Sequence, residues 1–323
     1  MTAAPTRVDR VRAGEPAAIA RMISRVERRG SADSAGVADE LAQLHRAGGH
    51  AHIIGVTGAP GSGKSTLVAE LTAHYRRAGR TVGVLAVDPS SVFTGGAILG
   101  DRIRMSALAG DSGVFIRSIA TRGALGGLSR AALDAITVLD AAGKDVVVLE
   151  TVGVGQAEVD VISAAQTVAV VSVPGMGDGV QAIKAGLLEI ADVHVLNKAD
   201  RDGARKAYAE LRDMLRFARH TDGDWEVPIQ RTVAATGEGV ADLAERFDEH
   251  HAWMARSGEL DRRARRTAAT RIRWMAEEIV LDRLRAGDPD FDREVDRVAE
   301  LSTDPLHAAR RLLGEPLDVM GAT

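Results

Sequence analysis

The chain has 323 residues, 45% of them apolar, and a formal charge of −4. That length buries a full α/β core with helices to spare, and the nearly balanced charge gives no global case for nucleic acid or an anionic membrane as partner. Cysteine is absent, which excludes disulfides, thiolate metal centres and a cysteine nucleophile; the composition is compatible with a reducing cytosol, so a cytoplasmic location is expected.

Residues 1–48 read as a helical arm. Met1 to Pro16 carries charges and prolines with no apolar centre, unlike a signal peptide. No run approaches the ~18 apolar residues of a membrane span. Ile19, Met22, Ile23 and Val26 recur at helical spacing, Gly30 to Ser34 interrupts them, and Val37, Leu41 and Leu44 begin a second stripe. Residues 49–250 then alternate apolar strand runs with helical stretches, the mark of a parallel sheet covered on both faces. Strands are predicted at 52–57, 82–87, 145–149, 168–173, 192–196 and near 229–233.

The first strand runs into Gly58-Ala59-Pro60-Gly61-Ser62-Gly63-Lys64-Ser65-Thr66. This fits G-x-x-x-x-G-K-[ST] with a strand before it and a helix after it, to about Tyr75. Glycines let backbone N–H groups wrap phosphates, Lys64 reaches the β/γ oxygens, Ser65 offers a hydroxyl to Mg²⁺, and the helix N-terminus adds its dipole. Lysine is scarce, with only five in the chain (64, 144, 184, 198 and 206). Chance therefore produces the pattern in roughly one such chain in two hundred. The fold class that follows is α/β: a P-loop NTPase with a mainly parallel sheet between helices, extended by helices at both ends.

The strand at 82–87 delivers Asp88, at the crevice where α/β sheets bind ligands; the plainer role for it is a turn before Pro89. Thr94 to Met105 is glycine-rich and contains Asp101, a candidate for the metal within a first switch segment. The strand at 145–149 delivers Glu150-Thr151-Val152-Gly153. Here D-x-x-G is common in nucleotide hydrolases, the acid holding the Mg²⁺ shell and the glycine N–H sensing the γ-phosphate; glutamate, one methylene longer, suits contact through water. Val154 stands where Ras-like proteins place a water-orienting glutamine, and Gln156 is displaced from that position. Slow intrinsic hydrolysis completed by a partner or second subunit is expected. Pro174 to Gly186 is a further mobile candidate, with Asp178, Gln181 and Lys184 as its polar handles.

Asn197 is the only asparagine in the chain and opens Asn197-Lys198-Ala199-Asp200. N-K-x-D reads guanine: the Asp200 carboxylate accepts from N1–H and the N2 amino group, donors that adenine lacks, and a mismatch of this kind discriminates by ~10⁴-fold. Asn197 and the Lys198 stem hold the loop and cover the base. A helix-capping turn is the plainer reading of such a string. Thr232 to Gly237 sits where GTPases place a loop that meets guanine O6, assigned here to the Ala234 amide, with Ala235 and Thr236 beside it and Val233 in place of the usual serine. Residues 251–323 become helical again. Leu260, Ala264, Ala268, Ile272, Met275 and Ile279 form an apolar stripe, read either as core packing or as a homodimer seam.

Taken together these stretches resemble the methylmalonyl-CoA mutase-associated GTPases, a branch of the P-loop GTPases that also holds nickel-insertion chaperones. The resemblance is carried by GAPGSGKST (58–66), VDPSS (87–91), GGAILGDRIRM (95–105), RGALGGLS (122–129), ETVGVGQAE (150–158), PGMGDGVQAIKAG (174–186) and NKAD (197–200). It implies a homodimer that binds GTP and Mg²⁺ and serves as chaperone to an adenosylcobalamin-dependent methylmalonyl-CoA mutase, gating cofactor loading and protecting the enzyme. By the same resemblance Asp88, Asp101 and Glu150 line the metal and switch region, and Lys184 moves with nucleotide and partner. The domain organisation expected is 1–48 arm, 49–250 GTPase domain and 251–323 helical region for dimerisation. Competing readings are a P-loop kinase of a transport system, against which N-K-A-D argues, and a metal-insertion GTPase, against which the missing cysteines and scattered histidines argue.

Overall fold

In the computed structural model the described residues are 4–28, 34–89, 108, 110–121, 130–151, 165–175, 190–216, 223–284 and 287–314. Two compact units result, Met1–Asp261 and Arg262–Thr323.

The first unit is built on a sheet of seven parallel strands: β1 (His52–Gly58), β2 (Val82–Pro89), β3 (Val114–Thr121), β4 (Val146–Thr151), β5 (Thr167–Ser172), β6 (Val193–Leu196) and β7 (Ile229–Arg231), in the order β3-β2-β4-β1-β5-β6-β7. Continuous apolar runs form the central strands because both faces are covered. On one face Ile54, Val56, Val146, Val148, Ala169 and Val193 meet Leu67, Leu71 and Tyr75 of α4 (Lys64–Arg77), and Leu243 and Phe247 of α7 (Val240–Ser257). The other face carries α5 (Arg130–Ala141), and α2 (Pro16–Glu27) and α3 (Ser34–Ala47) pack on α5, joined by the short α1 (Arg7–Arg12). The arm expected over 1–48 thus lies inside the same compact unit as the sheet. A further helix, α6 (Ala204–Leu215), covers β6 and β7.

Two devices fasten the arm. Asp140 of α5 takes the backbone N–H of Gly49, of His50 at 3.0 Å and of Ala51 at 2.9 Å, catching the chain just before β1. Arg117 of β3 donates to Ser24 Oγ at 3.0 Å and pairs with Glu27 on α2. The strand that bears Arg117 corrects the sequence reading, which left 88–144 without one. An edge strand is half exposed, and Arg117 with Ser118 breaks the apolar run in VFIRSIAT that a buried strand would show.

At the N-terminal ends of the strands, far from the loop that follows β1, a polar chain crosses the core. His52 Nε2 lies 2.8 Å from Thr167 Oγ1, that oxygen 2.9 Å from His250 Nδ1, and His250 Nε2 3.4 Å from Asp192 Oδ1. Trp253 stacks on His250 and Trp225 meets the same ring at a tilt. Burial, followed by the positive charge of His251, Arg80 and His250, holds the His52 imidazole well below its ordinary pKa. Unfolded, His52 takes a proton near pH 6.5; folded, it stays neutral. The penalty on stability is therefore absent above that pH and grows as pH falls through the unfolded value toward the folded one. The expected result is a melting temperature that falls between pH 6.5 and 5 in the wild type and falls less in His52→Gln; equal slopes would remove His52 as the cause.

The second unit comprises the remainder of α8 (Glu259–Arg283), α9 (Pro289–Ala299) and α10 (Pro305–Leu313). The aspartates Asp288 and Asp304 cap α9 and α10 by accepting from two backbone N–H groups each, with proline at the following position. Of the predicted apolar stripe, Ile272 is 69% exposed and Ile279 60%, so these side chains are not packed into the chain's own core.

Candidate nucleotide-binding site

The loop between β1 and α4 is shaped by three glycines with positive φ: Gly58 (138°), Gly61 (77°) and Gly63 (91°). At two of them space as well as conformation demands glycine. A Cβ on Gly58 would lie 2.1 Å from the Val171 carbonyl oxygen of β5, and one on Gly63 would lie 2.5 Å from Asn197 Nδ2. Gly63 also caps α4 without any side-chain acceptor, which leaves the first amides of that helix directed at the loop. Lys64, buried, folds its ammonium back onto the carbonyls of Gly58 at 2.7 Å and Ala59 at 3.1 Å. A cation held over a ring of backbone groups at a helix N-terminus is an anion site suited to phosphate.

Ser65 Oγ donates to Glu150 Oε1 at 2.6 Å, and both residues are buried. The contact exists because β4 lies beside β1 and ends level with the loop, Val56 facing Glu150 in register. A hydroxyl and a carboxylate are the hard oxygen donors that Mg²⁺ takes, so the described residues fit that ion. Asp88 follows Val87, the last residue of β2 in register with β4, but its side chain lies outside the described residues, as do Asp101, Gly153, Asp178, Gln181 and Lys184.

The N-K-A-D stretch arrives from the other side. β6 ends at Leu196, and Asn197 is buried against the phosphate loop, its Nδ2 donating to the Ser62 carbonyl at 2.8 Å. Its Oδ1 accepts from Thr232 Oγ1 and from the Ala234 amide, each at 3.1 Å. Lys198, with φ 55°, donates from Nζ to the Gly61 carbonyl at 2.7 Å. Asp200 is exposed, and the Ala199 amide binds the Thr232 carbonyl at 3.1 Å. Asparagine therefore ties three loops at one point. The Ala234 amide, which the sequence reading reserved for guanine O6, is engaged by Asn197 here, while Ala235 and Thr236 are exposed. Pro60 and Thr66 sit in the phosphate loop and the first turn of α4 respectively.

Thr232 is the residue that sequence reasoning missed. Its hydroxyl holds Asn197 and its carbonyl holds Ala199, and the only advance signal was a polar residue, buried as it turns out, opening the short apolar run Val233-Ala234-Ala235. A second omission is the buried pair Thr57 and Thr151, whose hydroxyls meet at 2.9 Å.

Comparison with known proteins agrees with this geometry. The family model described as methylmalonyl Co-A mutase-associated GTPase MeaB matches residues 19–289. A Pyrococcus horikoshii protein that carries the name GTPase is 46% identical over 308 residues, covering 95% of this chain and 96% of that one. The mouse protein named methylmalonic aciduria type A homolog, mitochondrial, is 38% identical over 210 residues, 64% of this chain and 51% of its own length. Among solved structures, one titled LAO/AO transport system kinase superposes with a TM-score of 0.71 at 28% identity and covers 95% of each chain. With the phosphate loop, the N-K-A-D loop and the parallel sheet in place, the chain belongs to the methylmalonyl-CoA mutase-associated GTPase MeaB family and is a P-loop GTPase.

Proposed function

We propose that this GTPase is a chaperone of adenosylcobalamin-dependent methylmalonyl-CoA mutase, gating cofactor loading and protecting the mutase while it slowly hydrolyses GTP to GDP. The observation that carries this reading is the family match over 19–289, whose description names the mutase as the associate. The name of the mouse relative points to the same metabolism. GTP as substrate is supported by the junction at Asn197, which couples the phosphate loop to the base-reading stretch. Asp200 would accept from guanine, and the exposed residues Ala235 and Thr236 would flank the base, the Thr236 amide being held by the Val233 carbonyl at 3.0 Å.

Ser65 and Glu150 would hold Mg²⁺, with Asp88 and Asp101 completing its surroundings. The ion would neutralise charge between the β- and γ-phosphates. Lys64 would leave the carbonyls of Gly58 and Ala59 for those oxygens, and Gly153 would sense the γ-phosphate. Val154 carries no group able to orient water, which supports slow turnover and a partner-completed site. A homodimer is supported by the exposure of Ile272 and Ile279 on one helix, and a cytoplasmic protein fits the absence of cysteine.

The test is GTP turnover, with ATP alongside, with and without purified methylmalonyl-CoA mutase from the same source. Slow GTP-selective hydrolysis accelerated by the mutase is the expected result. Turnover indifferent to the mutase would keep the GTPase and sink the chaperone role, whereas preference for ATP with transfer to an acceptor would favour the kinase title borne by the structural neighbour.

A further inference from the structure

Among the described residues, two polar contacts reach the C-terminal end of β4 at the level of the phosphate loop. On the face covered by α4, Ser65 donates to Glu150 at 2.6 Å. On the opposite face, Thr151 Oγ1 donates to Thr57 Oγ1 at 2.9 Å. The two faces follow from the register: Val56 pairs with Glu150, so Thr57 and Thr151 are the next pair along and point the other way. Both threonines are buried, Thr57 at 0% and Thr151 at 1% exposure. Each sits at a junction. Thr57 precedes Gly58, where the Val171 carbonyl leaves no room for a side chain. Thr151 is the last residue of β4 and follows Glu150 directly.

Most strand residues of this sheet at such depth are valine, leucine, isoleucine or alanine, with Thr167 and His194 among the polar exceptions, and valine has the shape of threonine. A hydroxyl pair in that position costs desolvation of two polar groups and regains part of it through the one hydrogen bond that joins them. A Val–Val pair would serve the core equally well. The polar choice therefore asks for a role beyond packing.

We propose that the Thr57–Thr151 hydroxyl pair is a positioning device that keeps Glu150 in register with the phosphate loop when the Ser65 hydroxyl turns from Glu150 to Mg²⁺. This rests on the reading of Ser65 and Glu150 as the metal's residues. Breaking the Ser65 contact removes that hydrogen bond on the α4 face. The threonine pair on the far face is untouched by that event and holds the end of β4 while Glu150 changes partner. Thr57 and Thr151 act through Glu150 and touch neither nucleotide nor metal.

Four variants separate positioning from packing: Thr57→Val, Thr151→Val, the double variant, and Thr151→Ser. Melting temperature and amide exchange at 150–151 are read on nucleotide-free protein, GDP affinity with and without Mg²⁺, and kcat and KM for GTP. Each single valine leaves one buried hydroxyl unsatisfied and lowers the melting temperature. The double variant leaves none and recovers it. If the pair positions Glu150, exchange at 150–151 stays fast in the double variant and its kcat stays about tenfold down, with KM and Mg-free GDP affinity within about twofold of wild type. Thr151→Ser restores both. Recovery of kcat and of slow exchange together with melting temperature in the double variant would overturn the proposal and leave a packing role. Nucleotide affinity and turnover independent of Mg²⁺ in the wild type would instead overturn the metal reading, and the positioning role with it.

Discussion

Asn197→Ala is expected to weaken GTP binding by about a hundredfold and to lower the melting temperature of the nucleotide-free protein. The side chain is 1% exposed and makes three bonds: to the Ser62 carbonyl, from Thr232 Oγ1 and from the Ala234 amide. Truncation leaves those partners buried without it, at about 1–3 kcal/mol for each that water cannot reach. The loss of roughly 3 kcal/mol that results corresponds to the hundredfold in affinity. Both the phosphate loop and the 232–237 loop would relax, so GDP should weaken in parallel with GTP. Calorimetric titration and a thermal melt check the two halves. Wild-type affinity in the variant would show that the junction is not needed to hold the nucleotide loops.

Gly58→Ala should prevent stable folding or cost about 4 kcal/mol, more than an ordinary surface change. The new methyl would stand 2.1 Å from the Val171 carbonyl oxygen and 2.9 Å from its carbon, both backbone atoms of β5. Its φ of 138° also lies where L-residues are strained, adding about 1–3 kcal/mol. Relief requires β1 and β5 to separate at the centre of the sheet. Gly61→Ala is the control: φ is 77° and no atom lies within 4 Å of its Cβ, so about 1 kcal/mol of backbone strain is the whole expected effect. Melting temperatures of the two variants decide the matter. Equal, small shifts would mean that close approach to β5 is not what demands glycine at 58.

The phosphate loop was legible in the sequence because its requirements are local. Three positive-φ glycines, one lysine and a hydroxyl within nine residues need no distant partner to be recognised. The central strands were legible for a related reason: burial on both faces removes polar residues from a run, and His52–Gly58, Val146–Thr151 and Thr167–Ser172 are buried or nearly so along their length. β3 escaped because an edge strand keeps one side half open and carries Arg117, which serves α2 instead of the core. The arm was read as helical from its stripe, but the face that receives it, on α5, lies far along the chain, at residues 130–141.

Within the site, residue types were readable and pairings were not. Asn197 was identified by its motif, while its three partners come from residues 62, 232 and 234. Thr57 and Thr151 stand 94 positions apart and carry no local signature, since a threonine in a strand is as ordinary as a valine. The role of the Ala234 amide also changed once Asn197 was seen beside it.

By itself the sequence determined the family of chemistry: a guanine nucleotide held by a glycine-rich loop on a parallel sheet. Each element of that conclusion depends on backbone conformation or side-chain type within a few consecutive residues. Only the tertiary structure decided which groups share hydrogen bonds, because strand order β3-β2-β4-β1-β5-β6-β7 brings together ends that the chain keeps far apart. Buried polar groups must find partners wherever the sheet places them, and that requirement is written in the fold's connectivity, not in any stretch of residues.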